Sequence, residues 1–151
     1  MEKQYVLGFC FSRDKEEVVL IRKNRPEWQK GKLNGVGGKI EPEDASPLHA
    51  MVREFKEETG VDTIDRINDE MNGWKHFATM TFEDDIMGGK AIVYCFKMFS
   101  NVCYQCKTIE TEQVLCLPLN SELIKSLSLD NLQVLIPMAL HNGIKFSEIN
   151  Y

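Results

Sequence analysis

Three glutamates stand within five residues in the segment Arg53-Glu54-Phe55-Lys56-Glu57-Glu58-Thr59-Gly60-Val61. On a helix, Glu57 lies at i+3 and Glu58 at i+4 from Glu54, so all three carboxylates share one face. Leu48, Met51, Val52 and Phe55 fall on another face, suited to packing on a sheet. Arg53 reaches Glu57 at i+4 and can orient it as an ion pair. Like charges on one face repel, and hard divalent cations such as Mg²⁺ relieve that conflict because they prefer carboxylate and water oxygens. The plainer alternative is a solvated acidic face, the usual fate of a Glu-rich helix.

What surrounds the segment argues for the sharper reading. Ser46 is a good N-cap, Pro47 suits the first helical position, and Gly60 is a natural C-terminal stop, so a helix is expected from Pro47 to Thr59. Just upstream, Leu33-Asn34-Gly35-Val36-Gly37-Gly38-Lys39 is expected as a binding loop, its glycines permitting close backbone approach and unusual φ/ψ. The backbone carbonyl of Gly38 can add to the metal-binding oxygens.

These residues resemble the signature of the Nudix hydrolases, G-x5-E-x7-R-E-U-x-E-E-x-G-U, where U is a bulky apolar residue. Arg53 to Val61 matches the second half at every fixed position, with Phe55 and Val61 in the U places, and Gly37-Gly38-Lys39-Ile40-Glu41-Pro42 resembles the glycine entry. The resemblance covers about Leu33 to Val61. One departure is present. Counted from Gly38, the signature places its first Glu at Asp44 and its Arg at Val52, whereas the Arg is Arg53, so the loop carries one extra residue. Asp44 or Glu43 can stand in for the loop glutamate.

The resemblance implies an α/β/α sandwich around a central mixed β-sheet. It also implies hydrolysis of a diphosphate linkage in a nucleoside diphosphate derivative with Mg²⁺ or Mn²⁺ as cofactor. Glu54, Glu57, Glu58 and Gly38 become the metal-binding set, and Arg53 the residue that orients them. The general base is a helix glutamate in some relatives and a later loop acid in others; Glu110 and Glu112 are the loop candidates here. Either loop acid is, singly, better explained as a solvated charge. Arg22, Lys23, Arg25 and Lys39 are candidates to grip outer phosphates, against the commoner role of solubilising charges.

The stretch Leu33 to Lys39 further resembles the branch acting on oxidised purine nucleoside triphosphates, which makes Asn34 a candidate to read the base. Asp130 and Asn131 sit where that branch carries an acidic pair, but one of the two is not acidic, and Asp130 also suits the N-cap of a final helix. Trp28 and Phe77 can stack on a base, or serve as a loop anchor and a core residue. A (deoxy)nucleoside triphosphate is therefore the favoured substrate. ADP-ribose, dinucleoside polyphosphates, NADH, FAD and RNA caps are the alternatives, as is a non-catalytic nucleotide sensor.

Elsewhere, strands are expected at Tyr5 to Phe11, Glu17 to Arg22, His76 to Phe82, Ala91 to Phe96 and Gln113 to Leu117, the last stopped by Pro118. Ser12 to Lys15 reads as a hairpin turn. Helices are expected at Ser121 to Leu127 and Asn131 to Leu140, the latter kinked or interrupted at Pro137. With 151 residues, 43% of them apolar, one mixed α/β domain over 1–151 is expected. Five irregularly spaced cysteines argue against a disulfide framework, and Cys103 and Cys106 form one C-x-x-C without a matching pair. No long apolar run or secretory leader is seen, so a cytoplasmic protein is expected, away from membranes. The net charge of -5 disfavours a stable nucleic-acid partner. A small nucleotide is the expected partner, and a homodimer is left open.

Overall fold

The computed structural model describes residues 2–67, 69, 71–83, 88–141 and 147–150. Its sheet is built on β1 (Glu2–Phe11), in which neighbouring side chains point to opposite faces. Leu7, Phe9 and Phe11 enter one apolar cluster, while Val6 and Cys10 enter the other. A strand apolar on both faces needs a layer over each. One edge of β1 runs parallel to β6 (Lys90–Phe99) from Glu2↔Lys90 to Phe11↔Phe99. The other edge is shared. β4 (Val36–Lys39) pairs antiparallel with Tyr5 to Gly8, and β2 (Glu17–Arg22) joins at Phe11↔Val18. The order is β3-β2-β1-β6-β5-β8, with β3 at Leu33–Asn34, β5 at Lys75–Glu83 and β8 at Ser147–Asn150, and β7 (Gln113–Pro118) lies along β2.

Helix α1 (Pro47–Thr59) covers one face through Ala50, Met51, Val52 and Phe55. A Cβ at Gly8 would stand 2.6 Å from the Met51 thioether, so α1 rests directly on the backbone of β1. The other face is covered by α2 (Glu122–Leu127) and α3 (Leu132–Leu140), whose Leu132, Leu135 and Ile136 pack on Phe9, Phe77 and Leu20. The expected α/β/α sandwich with a mixed sheet is what the chain adopts.

Two local expectations are corrected. Leu33 to Lys39 is not a loop but the strands β3 and β4. A Cβ at Gly37 would fall 2.0 Å from the Val6 carbonyl oxygen, so glycine serves close strand approach. Unusual backbone angles are not the reason: the described glycines with positive φ are Gly31, Gly60, Gly88 and Gly89. β7 does end at Pro118, which is itself the last paired residue, opposite Glu17. Pro137 does not interrupt α3, which runs through it to Leu140. The buried Leu135, Ile136 and Ala139 hold the last turn down, and Lys97 Nζ donates to the Ala139 carbonyl at 2.9 Å.

Candidate active site

Helix α1 begins and ends where its local signals place it. The Ser46 side chain accepts the His49 N–H at 3.2 Å. Gly60 closes the helix in the left-handed region at φ 81°, donating to the Lys56 carbonyl at 2.9 Å. This fixes the rotation of the helix, which buries Glu54 and Glu58 to 9% exposure each and leaves Glu57 at the surface. The three acids face a cleft of about 510 Å³. Gly37, Gly38 and Lys39 of β4, with Tyr5 of β1, form one wall. Lys23, Arg25, Pro26, Glu110 and Glu112 complete the lining.

Arg53 organises the acids from behind. Its Nε and Nη2 donate to the two Asp44 oxygens, each at 2.9 Å. Nη1 donates to Glu54 at 3.0 Å and to Glu57 at 3.2 Å, and Nη2 also reaches the Lys39 carbonyl at 3.1 Å. The fork thus ties α1 to β4 and to the loop between them. It also settles how the extra loop residue is absorbed. Asp44, not Glu43, meets Arg53, and its Oδ2 accepts the Glu41 N–H at 2.8 Å. The bond to Arg53, foremost, holds the Asp44 carboxyl below its ordinary value.

The helix carboxylates behave differently. Burial raises Glu54, opposed in part by Arg53. Burial, followed by the nearby charges of Glu110, Glu112 and Glu54, pushes Glu58 up to about 7. Among the described residues, Glu58 Oε2 is buried without a hydrogen-bond partner. At Gly38 a Cβ would fall 2.4 Å from Glu54 Oε1, so the carboxylate lies against bare strand backbone.

These features fit a hard divalent cation. An orphaned buried carboxylate oxygen and a glycine cradle occupied by a second carboxylate both ask for positive charge. Among the described residues no three acidic, histidine or cysteine side chains converge into a closed cage. Mg²⁺ does not require one, since it keeps several waters and takes substrate phosphate oxygens beside one or two carboxylates.

The cleft gathers Gly38, Lys39, Arg25, Glu54, Glu57, Glu58 and Glu112 from among the residues the sequence singled out. Arg22 ends β2 as an exposed side chain. Asn34 lies on β3 outside the cleft lining, its Oδ1 accepting the Gly35 N–H at 2.9 Å. The segment before Asp130 comes close to it, because the Leu129 N–H donates to the Leu33 carbonyl at 3.0 Å. Asp130 is exposed and does not cap α3; the N-cap position falls to Asn131, which makes no side-chain cap bond. Trp28 is 69% exposed on the short 3₁₀ turn Glu27–Gln29. Phe77 cannot stack on a base, being fully buried with its ring 6.3 Å from that of Phe9. Tyr5 was not anticipated, since nothing distinguishes it in sequence from any aromatic in a strand. Cys103 is buried in the core, and Cys106 donates to the Val102 carbonyl at 3.5 Å. No described helix is long and apolar enough to cross a membrane.

The family model for the NUDIX domain matches residues 2–127. No curated protein matches the chain by sequence. Among solved structures, the NUDIX domain of Shewanella oneidensis NrtR complexed with ADP ribose superposes with a TM-score of 0.66 at 20% identity, over 92% of this chain and 86% of that one. The Bacillus halodurans MutT protein gives 0.68 at 15% identity, over 99% and 90%. A bifunctional NMN adenylyltransferase/ADP ribose pyrophosphatase from Francisella tularensis, complexed with AMP and a Mn ion, gives 0.67 at 15% identity, over 93% of this chain and 41% of that one. At these identities the structural likeness speaks to fold, and the family model, which spans most of the chain, speaks to descent: the chain belongs to the Nudix hydrolase family.

Proposed function

We propose that the chain is a pyrophosphohydrolase that cleaves a diphosphate linkage in a nucleoside diphosphate derivative, with Mg²⁺ or Mn²⁺ as cofactor. The observation that carries this reading is the buried oxygen of Glu58, without a hydrogen-bond partner among the described residues, in a cleft lined also by Glu54, Lys23 and Arg25. Such a lining offers carboxylates to a cation and basic groups to a polyanion.

Glu54, Glu57 and Glu58 would hold the metal, with the Gly38 carbonyl as a further oxygen. Bound there, the ion would neutralise diphosphate charge and acidify water. The chain's own residues do the rest. Arg53 keeps the acids in one arrangement so that none must be reorganised when substrate arrives. Arg25 and Lys39 grip outer phosphates and place the linkage over the acid face. A cleft-facing carboxylate takes the proton of the attacking water as its oxygen bonds to phosphorus and the bridging phosphate oxygen leaves. Glu110 and Glu112 are the loop acids of the cleft lining.

The favoured substrate is a (deoxy)nucleoside triphosphate, oxidised purine nucleotides included, with Asn34 and Asp130 near the base and Trp28 as a stacking surface. The neighbouring approach of β3 and the segment before Asp130 supports it. ADP-ribose is the second reading, supported by two structural neighbours, one complexed with ADP ribose and one an ADP ribose pyrophosphatase. The protein is expected to act in the cytoplasm on a small nucleotide.

The test is incubation with Mg²⁺ and dGTP, 8-oxo-dGTP, ADP-ribose, a dinucleoside polyphosphate, NADH and FAD, with and without chelator. Chelator-sensitive release of a nucleoside monophosphate is expected, and the best substrate selects between the two readings. Cleavage of none, with tight binding of one, would replace the hydrolase by a nucleotide sensor.

A further inference from the structure

One cation of the cleft, Arg25, rides on a loop with few attachments. Residues 24–32 leave β2 and return to β3, and their neck is closed by the Lys23 N–H on the Lys32 carbonyl and the Gly31 N–H on the Lys23 carbonyl, each at 2.8 Å. Arg25 and Pro26 line the cleft from this loop, and Trp28 projects from its tip. Among the described residues, the hydrogen bonds that carry the loop beyond its neck end on Thr111 and Glu112. The Asn24 N–H donates to Glu112 Oε2 at 2.7 Å, and Asn24 Nδ2 donates to the Thr111 carbonyl at 3.0 Å. Lys23 Nζ donates to Glu112 Oε1 at 3.2 Å, in a pair whose side chains are 21% and 12% exposed. The segment bearing Glu112 is itself fastened at its start, where the Lys107 N–H donates to the Thr59 carbonyl at the end of α1.

Resting on the hydrolase reading above, we propose that Glu112 is a positioning residue: its carboxylate latches the Arg25 loop to the segment anchored on α1 and thereby sets the distance between the phosphate-gripping cation and the acid helix. Both Glu112 oxygens accept hydrogen bonds from protein donors, which is the arrangement of a clasp. Each oxygen keeps a second lone pair, so the pH dependence of turnover is what separates a clasp from a general base. Glu110, which also lines the cleft, is the loop acid whose charge acts on both Glu54 and Glu58. The latch makes ground-state binding of the polyphosphate depend on a residue that does not touch the reacting atoms.

The experiment uses the full chain with Mg²⁺ and compares Glu112→Ala, Glu112→Gln and Lys23→Met. Two readouts are taken: kcat and KM on the best substrate of the panel, and the fluorescence anisotropy of Trp28. The other tryptophan, Trp74, is buried and bonded to Thr63, so it adds a constant contribution and the differences between variants report Trp28. Glu112→Ala should raise KM by about tenfold with kcat within about threefold, and lower the anisotropy. Glu112→Gln can still accept the Asn24 N–H and should recover most of both. The acidic limb of the pH profile should stay in place in all three variants. The proposal is overturned if Glu112→Gln lowers kcat by about a hundredfold at constant KM and removes that limb, the behaviour of a general base. It is equally overturned if Glu112→Ala changes neither KM nor anisotropy. If the wild type cleaves nothing, the hydrolase reading falls by itself; the latch is then judged by anisotropy and by the affinity for Mg²⁺–ADP-ribose, with the same directions expected.

Discussion

Glu57 and Glu58 differ in setting, one exposed and bonded to Arg53, the other buried with an oxygen left unsatisfied. Replacing either by Gln keeps shape and removes charge. Because the fold does not rest on these charges, Glu57→Gln and Glu58→Gln should keep a native circular dichroism spectrum while kcat falls by roughly 10²- to 10⁴-fold. Near-normal turnover in either variant would remove that residue from the metal-binding set. Asp44 makes a contrasting prediction about stability. Its folded-state value is depressed, chiefly by the bond to Arg53, from an ordinary value of 3.8. A depressed carboxyl contributes stability that is full above that ordinary value and fades as pH falls through the folded one. Asp44→Asn should therefore cost about 1–2 kcal/mol at neutral pH. The gap to wild type should shrink below about pH 3.8. Denaturant titrations of both proteins across pH check it, and a gap that widens in acid contradicts the assignment. Asp44 was legible only as one of two candidates. The extra loop residue breaks the count from Gly38, and no counting rule says which acid a folded Arg53 will meet.

At the scale of elements, α1 was readable to the residue because its signals are local: Ser46, Pro47 and Gly60 act within one turn of themselves. The strands β3 and β4 were not, because three glycines lower strand propensity and the decision came from pairing with β1 and β2 far away in sequence. The same cause hid the partner of Glu112, since Asn24 lies 88 residues away. Glycine's role in β4 can be tested. A methyl at Gly37 would collide with the Val6 carbonyl, which is backbone and cannot rotate aside. A methyl at Gly38 would collide with the Glu54 carboxylate, which can. Gly37→Ala should therefore destabilise the whole domain, by about 1–3 kcal/mol in denaturant midpoint analysis. Gly38→Ala should leave stability nearly unchanged while weakening metal-dependent activity through a displaced Glu54. Equal stability losses in the two variants would mean that the carboxylate is held as rigidly as the strand.

At the scale of the molecule, two apolar layers on either side of the sheet hold the fold, and neither uses the carboxylates of Glu54, Glu57 or Glu58. The acid face is a local electrostatic cost carried by a scaffold that is stable for other reasons. That separation predicts how the free protein responds to its cofactor. A ligand at about a hundredfold its dissociation constant stabilises the folded state by about 2.7 kcal/mol. For a chain of 151 residues this corresponds to a rise in Tm of roughly 5–10 °C. Mn²⁺ should produce such a rise and EDTA should reverse it. The double variant Glu54→Gln with Glu58→Gln should lose the rise altogether. Without metal it should melt no lower than the wild type, because removing mutual repulsion and an unsatisfied buried carboxylate offsets any lost bond to Arg53. A Mn²⁺ shift of the same size in the double variant would place the ion elsewhere on the surface and remove the metal from α1. A variant that melts well below the metal-free wild type would show instead that the acid face stabilises the fold.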